Sequence, residues 1–307
     1  MMKLKKINNT KNLHMSVKFI TSIYSDLHGT EFGGRVGRSG HYRYSLLSLL
    51  KMTDADFLCY TSDREIESLK TFFYDENSIS PEKLQFKIFD ISETKFRELI
   101  NNRKNIDQIK QGDRCIEIQY SKFHWWWNED KSYDYYYWID AGLSHCGLIP
   151  NKYLTSTHPQ GRYYESTLFN NDFLKNLIVD TNDKFLLLGK ENDRNYWSGT
   201  VNPKWYEEFD RSIHIIGGMF GGHRDKWDKV VNLFETYVSD ILTEDEGLPH
   251  EEQVMSLMYV NHRELFERKH FDIWWCRDNA PQGVSEEMFQ QNKSFYRILE
   301  EFNRIYE

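Results

Sequence analysis

Apolar and polar positions over the first 140 residues predict strands separated by helices. Three runs rich in β-branched and aromatic residues predict strands, "VKFITSIYSDLHG" from Val17, "DFLCYTS" and "LQFKIFDI". Four leucines between positions 46 and 50 predict one apolar helical face, and "CIEIQYSKFHWWWNED" predicts another helix. A fourth strand, "YDYYYWID", ends at Asp140. Strands that alternate with helices predict an α/β fold with a mostly parallel central sheet.

The second half of the chain continues this pattern after an irregular region. Residues 151 to about 210 are polar and aromatic, with "KFLLLG" as the one short strand, and "SIHIIGGMFGG" predicts a strand broken by two glycine pairs. An apolar stripe at three- and four-residue spacing then predicts a long helix, through Trp227, Val230, Val231, Phe234, Tyr237, Val238 and Ile241. Two further helices are predicted, one near Pro249 and one over "SEEMFQQNKSFYRILEEFNRIYE".

Charge and composition narrow the functional classes. The net charge is −8, whereas a protein that neutralises many phosphates normally carries a basic face, so nucleic acid is not an expected partner. The cysteines form no CxxC pair, which argues against a zinc site or a disulfide framework and favours a reducing cytoplasm. No apolar run has the length of a transmembrane segment, and the basic, polar residues 1–15 are expected to form a disordered tail.

Asp140 is the first candidate functional residue. The order of elements places it at the carboxyl end of a strand, where open α/β sheets bind ligands. A carboxylate after a buried aromatic strand is costly unless a cation or a hydroxyl-rich ligand satisfies it, and Ala141 and Gly142 would let a ligand approach the backbone. An aspartate that caps the following turn would give the same pattern, so both interpretations stay open.

Glycines and an acidic segment form two further candidates. The pairs Gly217-Gly218 and Gly221-Gly222 would suit a sugar or phosphate that lies on the backbone, or a β-bulge. The segment "HEEQ", from His250, sits at a predicted helix start, where the macrodipole stabilises carboxylates and would hold a catalytic base ionised. Adjacent helical residues diverge by about 100°, so one or two of the four can face any one pocket.

Cations, histidines and tryptophans complete the set of candidates. The basic residues of the first loop and helix, Arg35, Arg38 and Arg43, would pair with a diphosphate or be solvated, as would Lys122. The histidines match no single-helix metal motif such as HExxH. The run of three tryptophans from Trp125 predicts core packing.

Together these segments resemble glycosyltransferases of the GT-A fold. More closely, "FITSIYSD", "WIDAGLSHCGLIP" and "GGMFGGHRDKW…HEEQVMSLMYVNHRELF" resemble the HtrL/YibB (WlaTC-like) bacterial proteins, which are linked to surface-polysaccharide loci. The resemblance covers about residues 17 to 275. It implies one GT-A domain with a Rossmann-like, mostly parallel sheet, in which residues 16–150 bind the nucleotide sugar and residues 151–307 bind the acceptor.

The resemblance also implies an enzymatic activity and a cellular location. The enzyme would transfer a hexose from a nucleoside-diphosphate sugar, with UDP as the expected nucleotide, to a glycan or lipid-linked saccharide in surface polysaccharide synthesis. It would act in the cytoplasm, peripherally at the inner face of the membrane. Two alternatives stay open: a sugar-nucleotide or glycan-binding protein with weakened catalysis, and a nucleotidyltransferase that uses Asp26 and Asp140 as metal carboxylates.

The same resemblance assigns roles to residues. Glu251 or Glu252 would be the catalytic base or nucleophile. Asp140 would be the first carboxylate of the DxD motif, but Gly142 stands where the second is expected. Mn²⁺ or Mg²⁺ would then be held by Asp140, diphosphate, water and His145, or no metal would be used. The implied donor-binding residues are Thr21, Tyr24, Asp26, Arg35, Arg38, Arg43, Lys122, Asp140, Ala141 and Gly142, and the implied acceptor-binding residues are Gly221, Gly222, His250 and Gln253.

Overall fold

The computed structural model describes residues 16–24, 38–98, 100, 113–142, 175, 178, 181, 184–191, 213–244 and 250–270. Within these ranges the strands are β1 Val17–Ile23, β2 Asp56–Thr61, β3 Leu84–Ile88, β4 Tyr135–Ile139, β5 Phe185–Glu191, β6 Ile213–His223 and β7 Phe266–His270. The α-helices are α1 Arg38–Met52, α2 Ile66–Lys70, α3 Asp113–His124, α4 Arg224–Glu244 and α5 Glu251–Asn261. A π-helical turn, Thr71–Glu76, continues α2, and short 3₁₀ turns cover Ile91–Glu93, Trp125–Asn128 and Arg263–Leu265.

The seven strands form one sheet in the order β3-β2-β1-β4-β6-β5-β7. Strand β6 runs antiparallel to both of its neighbours, β4 and β5, and every other neighbouring pair is parallel. The structure thus confirms the predicted α/β architecture with a mostly parallel central sheet flanked by helices.

Strand β1 sits at the point where the order of the sheet reverses. From β1 the chain steps outward through β2 to β3 and then returns to the other side of β1 as β4. Strands β1 and β4 are parallel and in register, with Val17 opposite Tyr135 and Ile20 opposite Trp138, so their carboxyl ends lie side by side. Open α/β sheets bind ligands in the crevice at such a reversal.

Buried residues form a core on each face of the sheet. Because side chains alternate along a strand, Phe19 belongs to the core beneath α1 and Ile20 to the core beneath α3, α4 and α5. In the second core Phe123 of α3 stacks on Phe220 of β6 at 4.9 Å and on Phe234 of α4 at 3.8 Å. The predicted apolar stripe of α4 is confirmed, since Trp227, Val230, Val231, Phe234 and Val238 are buried.

Two sequence predictions need correction, and several lie outside the described residues. Strand β6 is one continuous strand: its pairing with β4 runs through Gly221-Gly222, and the first glycine pair lies in a bulge where the register with β5 shifts between Phe220 and Ile216. The predicted helix near Pro249 begins at Glu251, with His250 as its N-cap. Strand β7 was not predicted. The tail over residues 1–15, most of the irregular region, and the final helix lie outside the described residues.

Candidate active site

Asp140 follows β4 at the reversal of the sheet, and its carboxylate is held from one side. Oδ1 accepts a hydrogen bond from Nε1 of Trp138 at 2.8 Å and lies 3.0 Å from Nζ of Lys122. Its backbone N–H donates to the carbonyl of Gly218 at 2.8 Å. The side chain is 40% exposed, and both of its contacts with described residues engage Oδ1. Among the described residues, the carboxylate contacts Lys122 and Trp138.

Lys122 of α3 is buried, and the protein itself uses its ammonium group. Besides Asp140, Nζ donates to Oε1 of Glu251 at 2.8 Å and to the carbonyl of Gly217 at 2.9 Å, and it lies 5.2 Å from the centre of the Trp138 ring. An ammonium group has three protons to donate, which matches these three oxygen acceptors. Lys122 therefore binds Asp140 from the buried side of the site. Its contact with a diphosphate stays a prediction.

The first turn of α5 brings two buried glutamates close to Asp140 and Lys122. We call these residues, with Trp138 and Gly217, the cluster. His250 and Gln253 form a reciprocal capping box, in which the backbone N–H of His250 donates to Oε1 of Gln253 at 2.8 Å. The next residues, Glu251 and Glu252, then lie in the first turn, where the macrodipole stabilises negative charge. Oε1 of Glu252 accepts the backbone N–H of Gly217 at 2.9 Å. Both glutamates therefore lie against β6 at Gly217.

A bulge in β6 makes Gly217 available to the cluster. Strand β5 pairs with Phe220 and then with Ile216, so residues 217 to 219 have no partner in its register. The N–H and C=O of Gly217 bond instead to Glu252 and Lys122. A Cβ at this position would overlap Oε1 of Glu251 and stand 3.2 Å from Nζ of Lys122. The first glycine pair therefore forms a bulge, and the glycine at position 217 makes room for the buried ion pair.

Burial and mutual charge shift the pKa values of the central pair. Burial lowers the pKa of Lys122, but the carboxylates of Asp140 and Glu251 outweigh burial and raise this pKa above its ordinary value. Burial raises the pKa of Glu251 to about 7; the Lys122 ammonium opposes this rise, and the carboxylates of Glu252 and Asp140 add to it. Lys122 is thus charged, and Glu251 titrates in the range where a general base is useful.

The donor-binding residues predicted on β1 lie on different faces of the sheet. Thr21 is fully buried, lies on the α1 side, and its hydroxyl has no hydrogen-bond partner within the described part of the chain. Tyr24 lies on the other side, where its hydroxyl donates to the carbonyl of Phe89 at 3.0 Å. Alternation also places Ser22 on the face that carries Asp140.

The remaining predicted residues are scattered or lie outside the described residues. Arg43 donates to Oγ of Ser68 at 2.8 Å, on α2. Ala141 and Gly142 are buried directly after Asp140. Asp26, Arg35 and His145, and the side chain of Arg38, are outside the described part.

The predicted acceptor-binding residues occupy the sheet and the cap of α5. Gly221 and Gly222 lie within β6, opposite Tyr137 and Tyr136 of β4. A Cβ on Gly221 would overlap the carbonyl of Tyr136, so a glycine is required there by the close approach of β4. Gln253 is buried, and Nδ1 of His250 lies 3.2 Å from Oε1 of Gln119. Their roles in acceptor binding stay predictions.

Sequence reasoning missed two residues of the cluster. Trp138 looked like one more aromatic residue of a buried strand, yet it orients Asp140 through its indole N–H. Gly217 was noted only as one of a pair. The signal that could have found Trp138 is its i, i+2 spacing to Asp140, which places both side chains on one face of a strand. Nothing in the sequence marks Gly217 as the glycine that accommodates Glu251.

The described residues do not fit a divalent cation held by protein ligands. Oδ1 of Asp140 is engaged by Lys122 and Trp138, and the oxygens Oε1 of Glu251 and Glu252 are engaged by Lys122 and Gly217. Mn²⁺ and Mg²⁺ prefer several oxygen ligands, and no group of three acidic, histidine or cysteine residues suitable for a metal occurs among the described residues. The predicted metal site at Asp140 and His145 stays a prediction.

Comparison with known proteins gives distant structural similarity only. No family model and no curated protein matches the chain. It is similar to mouse xyloside xylosyltransferase 1 in its apo form, with 11% identity and a TM-score of 0.48, over 88% of this chain and 92% of that one. It is also similar to 4-diphosphocytidyl-2C-methyl-D-erythritol synthase from Anaerococcus prevotii, with 9% identity and a TM-score of 0.41, over 92% and 96% of the two chains. Similarity this low does not identify an activity.

Among the described helices, none is long and apolar enough to cross a membrane.

Proposed function

We propose that the protein is a glycosyltransferase that transfers a hexose from a nucleoside-diphosphate sugar, first of all a UDP-sugar, to a glycan or lipid-linked saccharide. One observation carries the proposal: a half-exposed carboxylate, Asp140, is fixed at the carboxyl end of β4 where the sheet order reverses. Ligands of open α/β sheets bind at this point. A half-exposed carboxylate with one oxygen held by Lys122 and Trp138 suits a hydroxyl-rich ligand such as a ribose or a hexose.

The finer parts of the proposal rest on the resemblance of "WIDAGLSHCGLIP" and "HEEQVMSLMYV" to the HtrL/YibB (WlaTC-like) proteins. By that likeness the acceptor belongs to a surface polysaccharide, and the reaction takes place in the cytoplasm at the inner face of the membrane. The likeness offers Glu251 or Glu252 as the catalytic carboxylate, and both lie against Gly217 near Asp140.

Donor binding and donor turnover test the proposal directly. UDP, UDP-glucose and UDP-galactose are added to the full chain, with and without Mn²⁺, and the melting temperature is recorded, because a ligand that binds the folded state raises it. We expect a rise in the wild type that Asp140→Ala abolishes, together with release of UDP from one UDP-hexose. If no UDP compound changes the melting temperature in either condition, the donor site is wrong.

A second candidate is a sugar-nucleotide-binding protein without turnover. It is favoured by the burial of both glutamates, since Glu251 and Glu252 expose only 4% and 7% of their surface. The same assay separates the two functions, because a binding protein would show the rise in melting temperature but release no UDP with any acceptor. A nucleotidyltransferase would instead release pyrophosphate from a nucleoside triphosphate and would require the pair Asp26 and Asp140.

A further inference from the structure

Glu251 and Asp140 differ in their access to a ligand although one lysine binds both. The side chain of Asp140 is 40% exposed, whereas that of Glu251 is 5% exposed. Oε1 of Glu251 is bound to Nζ of Lys122, and Gly217 lies directly beneath the carboxylate. A side chain enclosed in this way contacts the protein rather than a substrate. Asp140 is the member of the cluster that a ligand can reach.

The position of Lys122 depends on all three of its acceptors. Its ammonium group ends a long, flexible side chain, and the oxygens of Glu251, Gly217 and Asp140 bind it at 2.8, 2.9 and 3.0 Å. Without Glu251, Asp140 would be the one carboxylate of the described residues in direct contact with the ammonium. The exposed carboxylate would then be drawn inward toward the unshared charge, since a desolvated ion pair is strong at this distance.

We propose that Glu251 is a positioning residue that acts through Lys122 to hold Asp140 in its outward, ligand-binding orientation, rather than a base that acts on the substrate. This inference rests on the proposed donor site at Asp140. Gly217 belongs to the same chain of contacts, because its carbonyl binds Lys122 and its missing Cβ leaves room for Glu251. Gly217 and Glu251 thus hold the ammonium group of Lys122, and Lys122 in turn holds the carboxylate of Asp140.

Replacing Glu251 by glutamine and by alanine separates positioning from base catalysis. Glutamine keeps an oxygen that accepts a hydrogen bond from Lys122 but cannot serve as a base, and alanine removes both functions. We expect Glu251→Ala to weaken UDP binding and raise the KM for the donor by about tenfold, the range for loss of a hydrogen bond to a charged group. Glu251→Gln should restore both values and most of kcat. If both variants lose kcat equally while UDP affinity is unchanged, Glu251 acts on the substrate and the inference is wrong.

A second measurement needs no ligand and therefore keeps the inference separate from the proposed function. The indole N–H of Trp138 donates to Asp140, so its ¹H–¹⁵N signal reports the orientation of that carboxylate. In ¹⁵N-tryptophan-labelled protein, this signal is identified by its loss in Trp138→Phe. We expect it to move in Glu251→Ala and Gly217→Ala, and to stay near the wild-type position in Glu251→Gln. An unmoved signal in Glu251→Ala would overturn the inference, whether or not UDP binds.

The pair Lys18 and Glu129 provides a matched control. It is equally buried, with Nζ of Lys18 at 3.1 Å from Oε2 of Glu129 and at 5.3 Å from the ring of Tyr133, but it lies at the amino end of β1. Lys18→Met should destabilise the fold, as we also expect for Lys122→Met, without moving the Trp138 signal or changing the affinity for UDP. A loss of UDP affinity in Lys18→Met would mean that general destabilisation explains the effects at Glu251. If UDP fails to bind the wild type while the Trp138 signal behaves as expected, the proposed function fails and the positioning of Asp140 stands.

Discussion

The carboxylate of Glu251 lies directly over Gly217, so that position 217 has no space for a Cβ. We expect Gly217→Ala to lower the free energy of unfolding by about 1–3 kcal/mol, the usual cost of overpacking a dense interior. Chemical denaturation measures the change. Gly222→Ala is the control, because a Cβ there would meet its nearest atom, the carbonyl oxygen of Lys184, at 3.4 Å, which the neighbouring atoms can accommodate. Equal losses in the two variants would show that strand glycines in general, rather than the overlap with Glu251, set the cost.

The raised pKa of Glu251 makes stability depend on pH in a defined direction. Burial raises this pKa from 4.5 to about 7, so the folded protein binds the proton more tightly than the unfolded chain. The contribution is complete below pH 4.5 and is lost as the pH rises through about 7, with a total on the order of 3 kcal/mol. The free energy of unfolding of the wild type should therefore fall between pH 5 and pH 8 relative to that of Glu251→Gln. Parallel curves for the two proteins would contradict the assignment.

Substitutions of Lys122 and Glu251 are expected to have strongly non-additive effects on the free energy of unfolding. Lys122→Met leaves the buried carboxylate of Glu251 without its cation, which typically costs about 3–5 kcal/mol. Adding Glu251→Leu replaces the pair by apolar groups and should recover part of this loss, with an interaction free energy of more than about 1 kcal/mol in the double-mutant cycle. Urea denaturation of the four proteins measures it. Additive losses would mean that the contact contributes little.

The sequence was sufficient to predict most strands of the sheet but not the side-chain cluster at its edge. The strand ending at Asp140 and the stripe of α4 have strong local periodicity, so their positions followed from the pattern alone. Strand β7 was missed because "FERKH" is a short, charged edge strand with little alternation. The contact between Lys122 and Glu251 joins residues 129 positions apart, and no local pattern encodes it.

Two features of the site illustrate what a local pattern leaves open. The acidic segment at the start of α5 was recognisable as a helix start, but burial of both glutamates against β6 depends on how α5 packs on the sheet. The bulge at Gly217 depends on the register between β5 and β6, which is set by their pairing and not by the glycines themselves. The sequence therefore named some of the residues of the site. The structure was needed to show that Lys122 and Trp138 bind Asp140.

The indole of Trp138 should matter for donor binding through a single hydrogen bond. Trp138→Phe keeps an aromatic ring against Trp125 but removes the N–H that fixes Oδ1 of Asp140. We expect a stability loss of about 1–2 kcal/mol and a several-fold weaker affinity for UDP, measured by denaturation and calorimetry. Trp126→Phe is the matched control, since Nε1 of Trp126 donates to Asp228 at the same distance of 2.8 Å, but to α4 rather than to the candidate site. If both variants weaken UDP binding equally, the hydrogen bond to Asp140 has no special role; if neither does, Asp140 is oriented by Lys122 alone.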